Sequence, residues 1–360
     1  MGGAEQWMIK IQKLLDKNEP TYIMSFDNTF ANIYSRIVLN RNFSNRDSKG
    51  ITTGPKFIYL TPSHFLPFNN QSDIVRQLFT DARLIYILFE LMECLILYLL
   101  GGPRIFHKSI AGIHSAYIYP VVTSWLDRLH NLFYGSWICQ KLLASFRIVH
   151  VLTDKSRDYF QKEFQLNNVK LIPNSIPPVK SRIRNKSSSL KIMFVGELSI
   201  KKGIKVLLES IIKSPSDINF SIVGNGELEE QVKEVVTRYP NVKFYGHVNK
   251  EKVNDLYRTH DALILPSVAE GLPYVILEAL SHGLVVIDSK EIALSLPKDI
   301  EYTVSQQNTH EYVQKINILK AKKQRSELPL KNQIQSYFQK HFSDTVVLPQ
   351  LRTNLFELPK

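Results

Sequence analysis

Apolar residues in this chain gather into short runs, set apart by polar stretches with a helical rhythm. In the second half the runs are 191–196 (KIMFVG), 219–223 (NFSIV), 242–245 (VKFY), 262–265 (ALIL) and 284–287 (LVVI). Each is too short for a helix and rich in Val, Ile or Phe, so each predicts a buried strand. Between them, 204–214, 227–239 and 250–258 predict helices. Strand and helix alternate, which predicts an α/β fold with a parallel sheet and helices on both faces. Ligands of such sheets bind beyond the C-terminal strand ends. After residue 305 the pattern is helical and polar, with a last helix near 333–341.

The first half is less regular. Residues 22–26, 56–60, 109–114, 147–153 and 169–172 read as strands, and 155–164 as a helix. Trp7, Ile9, Ile11, Leu14 and Leu15 predict an amphipathic helix near the start. The polar stretch 40–54 reads as a surface loop, and 61–72, rich in Pro, Phe and Asn, as a loop facing a cleft. The longest apolar run is 84–100 (LIYILFELMECLILYLL). It predicts a buried or interface-lying helix, since a spanning helix needs about 20 apolar residues and rarely holds acids such as Glu90 and Glu93. Prolines, basic residues and serines crowd into 177–189, the best linker. The expected domains are therefore 1–176 and 190–340, with a tail at 341–360 returning through Leu351, Leu355 and Phe356.

With 360 residues and 44% apolar content, the chain can bury two cores, which excludes a disordered protein. Lys and Arg exceed Asp and Glu by 12. A basic balance suits a phosphorylated substrate or an anionic membrane surface; no nucleic-acid motif is present. A basic cluster, Lys320, Lys322, Lys323 and Arg325, is either a solvated face or a contact for lipid headgroups. Cys94 and Cys139 lack metal-ligand spacing and read as reduced thiols. No secretory signal is visible, so a cytoplasmic location, with optional attachment to the inner face of the membrane, is expected.

The candidate chemistry lies in loops after strands. Pro266–Asp288 (PSVAEGLPYVILEALSHGLVVID) reads as loop, helix and strand, with Glu270 and Glu278 around a helix N-terminus opened by Gly271 and Pro273 and closed by Gly283. Amides at a helix start suit a phosphate, and a carboxylate can accept both hydroxyls of a ribose. Spacing alone also permits two solvated glutamates. In 195–203 (VGELSIKKG), Lys201 and Lys202 sit near a helix N-terminus, where cations are disfavoured unless an anion is present. The turn Gly224-Asn225-Gly226 lacks the full dinucleotide fingerprint. His114 ends a strand in the first half, with His64 and His107 as weaker alternatives. No His, Cys or Asp cluster has metal-ligand spacing, so no metal and no other cofactor is expected.

Pro266-Ser267, Glu270-Gly271, Pro273, Glu278-Ala279 and Gly283 together resemble the Glu-x7-Glu signature of family-4-type retaining glycosyltransferases of the GT-B fold. The resemblance implies two Rossmann-like domains facing a cleft and a nucleotide-diphosphate sugar as co-substrate. It implies that Glu270 lies beside the donor sugar and Glu278 on the ribose. Lys202-Gly203 resembles the Lys-Gly that clamps the diphosphate, with Lys201 and Gly196 beside it. Gly224, His247, Val248, Gly271, Leu272 and Pro273 would border the donor, and His114 the transferred sugar. Gly2-Gly3-Ala4-Glu5 resembles the acceptor-side glycine loop that follows the family's first strand. That strand is absent here, which leaves either a shortened chain or a gap filled by another segment. Glu197 stands where the family often has Arg, and no donor role is expected of it.

The reading is a metal-independent retaining transferase, of the hexosyltransferase type, for a hydroxyl of a glycan or lipid-linked acceptor. Catalytic roles fall to Glu270, Lys202 and His114. The alternatives are a GT-B nucleotide-sugar epimerase and a non-catalytic nucleotide-sugar-binding subunit.

Overall fold

The computed structural model describes residues 84–356 except 115, 121, 123, 180–187, 293, 306 and 307. Before 84 it describes 7, 10, 11, 14, 21–26, 36–40, 52–54, 57–60, 77, 79 and 82. Gly2 and Gly3, the 61–72 loop and most of the expected linker lie outside the described residues. Two compact units emerge. One comprises Met1–Ile118, Ser124–Pro173 and Leu348–Lys360; the other comprises Tyr119–Thr123 and Asn174–Val347.

The N-terminal unit runs β1 (Thr21–Phe26), β2 (Arg36–Asn40), β3 (Thr52–Gly54), β4 (Phe57–Leu60), β5 (Ile85–Leu88), α1 (Leu91–Gly101), β6 (Ser109–Ile113), α2 (Trp125–Tyr134), α3 (Trp137–Ser145), β7 (Ile148–Val151), α4 (Asp154–Lys162) and β8 (Val169–Leu171). Its sheet has the order β3-β4-β1-β2-β5-β6-β7-β8. From β5 to β8 the strands are parallel, and β6 is buried along its whole length. β2 is antiparallel to both β1 and β5. The central place left by the expected missing strand is thus filled, by Arg36–Asn40. Trp7, Lys10, Ile11 and Leu14 are helical, and Trp7 and Ile11 are buried.

Two expectations need correction here. The run 84–100 is not one helix. It divides into β5 and α1 at Glu90, whose extended backbone (φ −141°, ψ 163°) precedes the first turn of α1. A strand buried between two neighbours and a helix packed by one face both tolerate dense apolar sequence, so the run carries no mark of the break. The stretch 40–54 is not all loop, because Thr52–Gly54 pairs with β4.

The C-terminal unit runs β9 (Lys191–Val195), α5 (Ile204–Ile212), β10 (Asn219–Val223), α6 (Glu229–Arg238), β11 (Val242–Phe244), α7 (Lys250–Thr259), β12 (Ala262–Leu265), α8 (Tyr274–Ser281), β13 (Val285–Ser289), β14 (Glu301–Val304), α9 (Thr309–Gln324) and α10 (Lys331–Phe342). All its strands are parallel, in the order β11-β10-β9-β12-β13-β14. Burial of both faces explains their unbroken apolar composition. The unit begins at Asn174, ahead of the expected linker. Asn174 Nδ2 donates to Leu272 O at 2.8 Å, and Ser175 Oγ donates to Asp344 Oδ1 at 2.6 Å. Cys94 and Cys139 are free and buried.

Candidate functional site

In the C-terminal sheet the strand order reverses between β9 and β12. Loops leaving two such neighbouring strands diverge and open a crevice, the usual ligand site of a doubly wound sheet. Both motif loops leave from this point: 196–203 follows β9, and 266–273 follows β12. Val268 N donates to Lys201 O at 2.9 Å, which stitches them together. Gly203 sits at φ +71°, and a Cβ there would run into the Pro266 carbonyl. Glycine is therefore required at this crossing.

Lys202 Nζ donates to Glu270 Oε1 in a partly buried ion pair. The two residues singled out from separate motifs thus meet. Lys201 is exposed and lies over the Tyr119 ring, 4.7 Å from its centroid. Glu197 is exposed. The helices that follow, α5 and α8, have Gly203 and Pro273 at their N-caps and no side-chain cap. In the first turns Ile204 N reaches Ser199 O at 3.5 Å and Ile276 N donates to Pro273 O at 3.1 Å, while no side chain occupies either helix start. Pro273 stands just before the first turn rather than inside it.

Glu278 lies one turn into α8, where Tyr257 OH donates to its Oε2 at 3.2 Å. Burial raises its pKa, opposed by Lys250 and the tyrosine hydrogen bond. Buried Leu272 lies in the loop held by Asn174, and half-buried Gly271 is its neighbour. Gly196, Gly224 and Gly246 end adjacent strands. Gly224 N donates to Gly246 O at 2.9 Å, and Gly224, at φ +140°, lies so close to the Gly196 carbonyl that a Cβ would overlap it. His247 is exposed and Val248 half-buried in the loop before α7.

His114 belongs to the other unit, where it directly follows β6. It is the outer member of a buried network. Tyr86 OH contacts His114 Nε2 at 2.8 Å and His150 Nδ1 at 2.7 Å, and Trp7 Nε1 donates to the same hydroxyl at 3.1 Å. His150 Nε2 lies 2.8 Å from Ile172 O, an acceptor only, so this nitrogen carries the proton. Burial holds His150 neutral by pushing its pKa down to about 4. Its Nδ1 therefore accepts from Tyr86. The Tyr86 oxygen then accepts from Trp7 and from His114 Nε2–H. Burial, and the neighbouring His150, also hold His114 well below the usual histidine range. His114 is thus neutral and keeps its lone pair on Nδ1. The hydroxyl reaches across because position 112 is glycine; a Cβ there would overlap it.

Tyr86, His150, Trp7, Tyr257 and Asn174 were not singled out as site residues from sequence. None has a recognisable spacing to the residue it supports. Asn174 alone had a signal, in Pro173-Asn174-Ser175. Among the described residues no group of His, Cys, Asp and Glu converges as a metal site.

The family model for glycosyl transferases group 1 matches residues 189–321. The amylovoran biosynthesis glycosyltransferase AmsD of Erwinia amylovora is 27% identical over 187 residues, 49% of this chain and 53% of that protein. The chain spans about half or less of the length of the first curated relatives it matches. Among solved structures, sucrose-phosphate synthase from Thermosynechococcus elongatus superposes with a TM-score of 0.68 at 16% identity, covering 98% of this chain and 92% of that one. Anabaena Alr3699/HepE in complex with UDP and glucose does so with 0.63 at 17% identity, covering 84% and 86%. Residues 189–321 are therefore similar to glycosyl transferases group 1, and the chain shares the GT-B fold.

Proposed function

We propose that this chain moves a hexosyl group from a nucleoside-diphosphate sugar to a hydroxyl of a glycan or lipid-linked acceptor, with retention of anomeric configuration. The observation that carries the reading is the Lys202–Glu270 pair at the strand-order reversal of the C-terminal sheet. A diphosphate competes with Glu270 for Lys202. Once displaced, Glu270 is free to hold the donor sugar and to steady positive charge near its anomeric carbon. Lys202 and the first amides of α5 and α8 take up the charge that grows on the leaving diphosphate. Glu278 accepts the ribose hydroxyls, positioned by Tyr257. His114 offers its Nδ1 lone pair to a sugar hydroxyl.

Support for the donor class comes from Alr3699/HepE, whose structure holds UDP and glucose. Support for a glycan acceptor comes from AmsD, which serves amylovoran biosynthesis. The counter-charge of the diphosphate is then a lysine and backbone amides rather than a divalent ion, and transfer should persist in EDTA.

The test is a transfer assay over a panel of nucleotide sugars, chosen first by thermal stabilisation of the chain. Formation of a new glycosidic bond, lost in Lys202→Ala and Glu270→Gln, supports the reading. A product epimerised without a new bond overturns it, as does full activity in both variants.

A further inference from the structure

Helix α2 is built inside out. Its polar side faces the protein. Asp127, 5% exposed, forms a capping box with Ser124 at 3.1 and 3.2 Å. His130 reaches Ala116 O at 3.0 Å and Glu90 at 3.5 Å, and Tyr134 OH donates to Phe89 O at 2.7 Å. The apolar stripe faces outward instead. Trp125 is 67% exposed and Leu132 71%, with Leu126 and Leu129 between them. A helix bathed in water carries the opposite arrangement.

Exposed apolar side chains also stand on both neighbouring helices. On α3, Trp137 and Ile138 stand exposed. On α1, which Glu90 and the stacked Phe89 and Phe133 rings tie to α2, Leu95 and Leu99 stand exposed one turn apart. Most large apolar side chains exposed among the described residues fall between Leu91 and Ile138. An exposed face of this extent marks a contact surface.

Charge identifies the occupant. Between residues 91 and 153 the only acids are Glu93 and Asp127, and both are buried. Arg104, Arg128 and Lys141 are exposed. The face is therefore apolar and mainly cationic; its one partly exposed acid among the described residues, Glu90 at the start of α1, lies against His130. A second copy would set this basic face against itself, a like-charge contact. An anionic lipid surface complements both properties. Leucines enter the acyl boundary, tryptophans sit at headgroup depth, and Arg and Lys meet phosphate. No helix among the described residues is long and apolar enough to cross a membrane, so the contact lies on the surface.

We infer that α1, α2 and α3 form a docking face for an anionic bilayer. The inference stands on this surface alone and does not require the proposed glycosyl transfer. It replaces the basic cluster at 320–325 as the lipid contact. There Lys320 pairs with Asp217, Lys322 with the Tyr302 hydroxyl, Lys323 with Asp261 and Arg325 with Glu327.

Sedimentation with vesicles tests it, without donor or acceptor. The full chain should bind vesicles of phosphatidylcholine mixed with phosphatidylglycerol and bind pure phosphatidylcholine far less. The double variant Leu126→Glu/Leu132→Glu should lower binding at least about tenfold. Arg128→Gln/Lys141→Gln should lower it roughly fivefold per charge and flatten its salt dependence. Circular dichroism and the melting midpoint should stay at wild type in both, because the four side chains are exposed. Three results would overturn the inference: no binding to anionic vesicles, undiminished binding by the folded Glu variant, or a dimer dispersed by those substitutions with no vesicle binding.

Discussion

The polar clusters of the two units are opposites. In the N-terminal unit His114, Tyr86, His150 and Trp7 form a neutral chain in which each donor meets one acceptor. In the C-terminal unit Lys202 and Glu270 form a charged pair, partly open to solvent. A neutral, saturated network admits one arrangement of protons and so aims a single lone pair. A partly open ion pair is exchangeable, because an incoming anion replaces one partner without leaving the other buried and alone. The first kind of cluster suits alignment of a hydroxyl, and the second suits capture of a diphosphate.

The largest effect should follow from removing the exchangeable cation. Lys202→Ala should lower kcat/KM by about 10²–10³, the size seen when a donor to a developing oxyanion is lost. Lys202→Arg should retain more. Glu270→Gln sharpens the contrast: kcat should fall steeply while donor affinity, read by calorimetry, is maintained or rises, since Lys202 no longer has a carboxylate partner. A parallel loss of affinity in both variants would mean that the pair is structural.

On the neutral side, Tyr86→Phe strands the Trp7 and His114 N–H groups. It should cost about 1–3 kcal/mol of stability, read by denaturant unfolding. His150 adds a pH dependence of defined sign. Its pKa is 6.5 unfolded and about 4 folded. Between those values the unfolded chain binds more protons, so stability is complete above pH 6.5 and is lost as pH falls towards 4. His114 acts in the same direction. Tyr86→Phe should also change the acid limb of the pH–rate profile, which a purely structural tyrosine would leave in place.

This division also governs what the sequence revealed. Ala262–Leu265 and Asn219–Val223 were legible to the residue, because a doubly buried parallel strand has no polar position to blur it. Lys202 and Glu270 stand out in sequence because each lies in a loop at a strand end, and the fold brings the two together. Tyr86 was hidden inside a run that reads as one helix and His150 inside an ordinary buried strand, and the two meet only across the sheet. β2 was hidden because the polar flanks of Arg36–Asn40 resemble loop. α2 lies outside the elements read from sequence, and periodicity would not have oriented it: an apolar stripe is silent on whether it faces protein or lipid.

A smaller effect belongs to Glu278. Glu278→Gln keeps the shape and removes the charge, so the donor KM should rise about tenfold with kcat little altered. Tyr257→Phe should give part of the same rise by freeing the carboxylate. An unchanged KM in both would remove the ribose from the reading of Glu278.

The smallest prediction extends the neutral character of the N-terminal unit to its buried acid. Glu93 is 3% exposed, and its Oε2 has no hydrogen-bond partner among the described residues. Burial, with some help from the charge of Glu90, pushes its pKa from 4.5 up to about 8. The native chain therefore binds the proton more tightly than the unfolded chain. The linked stability is complete below pH 4.5 and is lost as pH rises towards 8. Glu93→Gln has no charge to desolvate and should escape that loss. Discounted for local relaxation and for the exchange of one polar group for another, the gain should be about 1 kcal/mol at pH 8 and near zero at pH 4. Denaturant midpoints at the two pH values measure it. Equal gains at both would mean that packing, rather than ionisation, separates the variants, and that the N-terminal unit tolerates a buried charge after all.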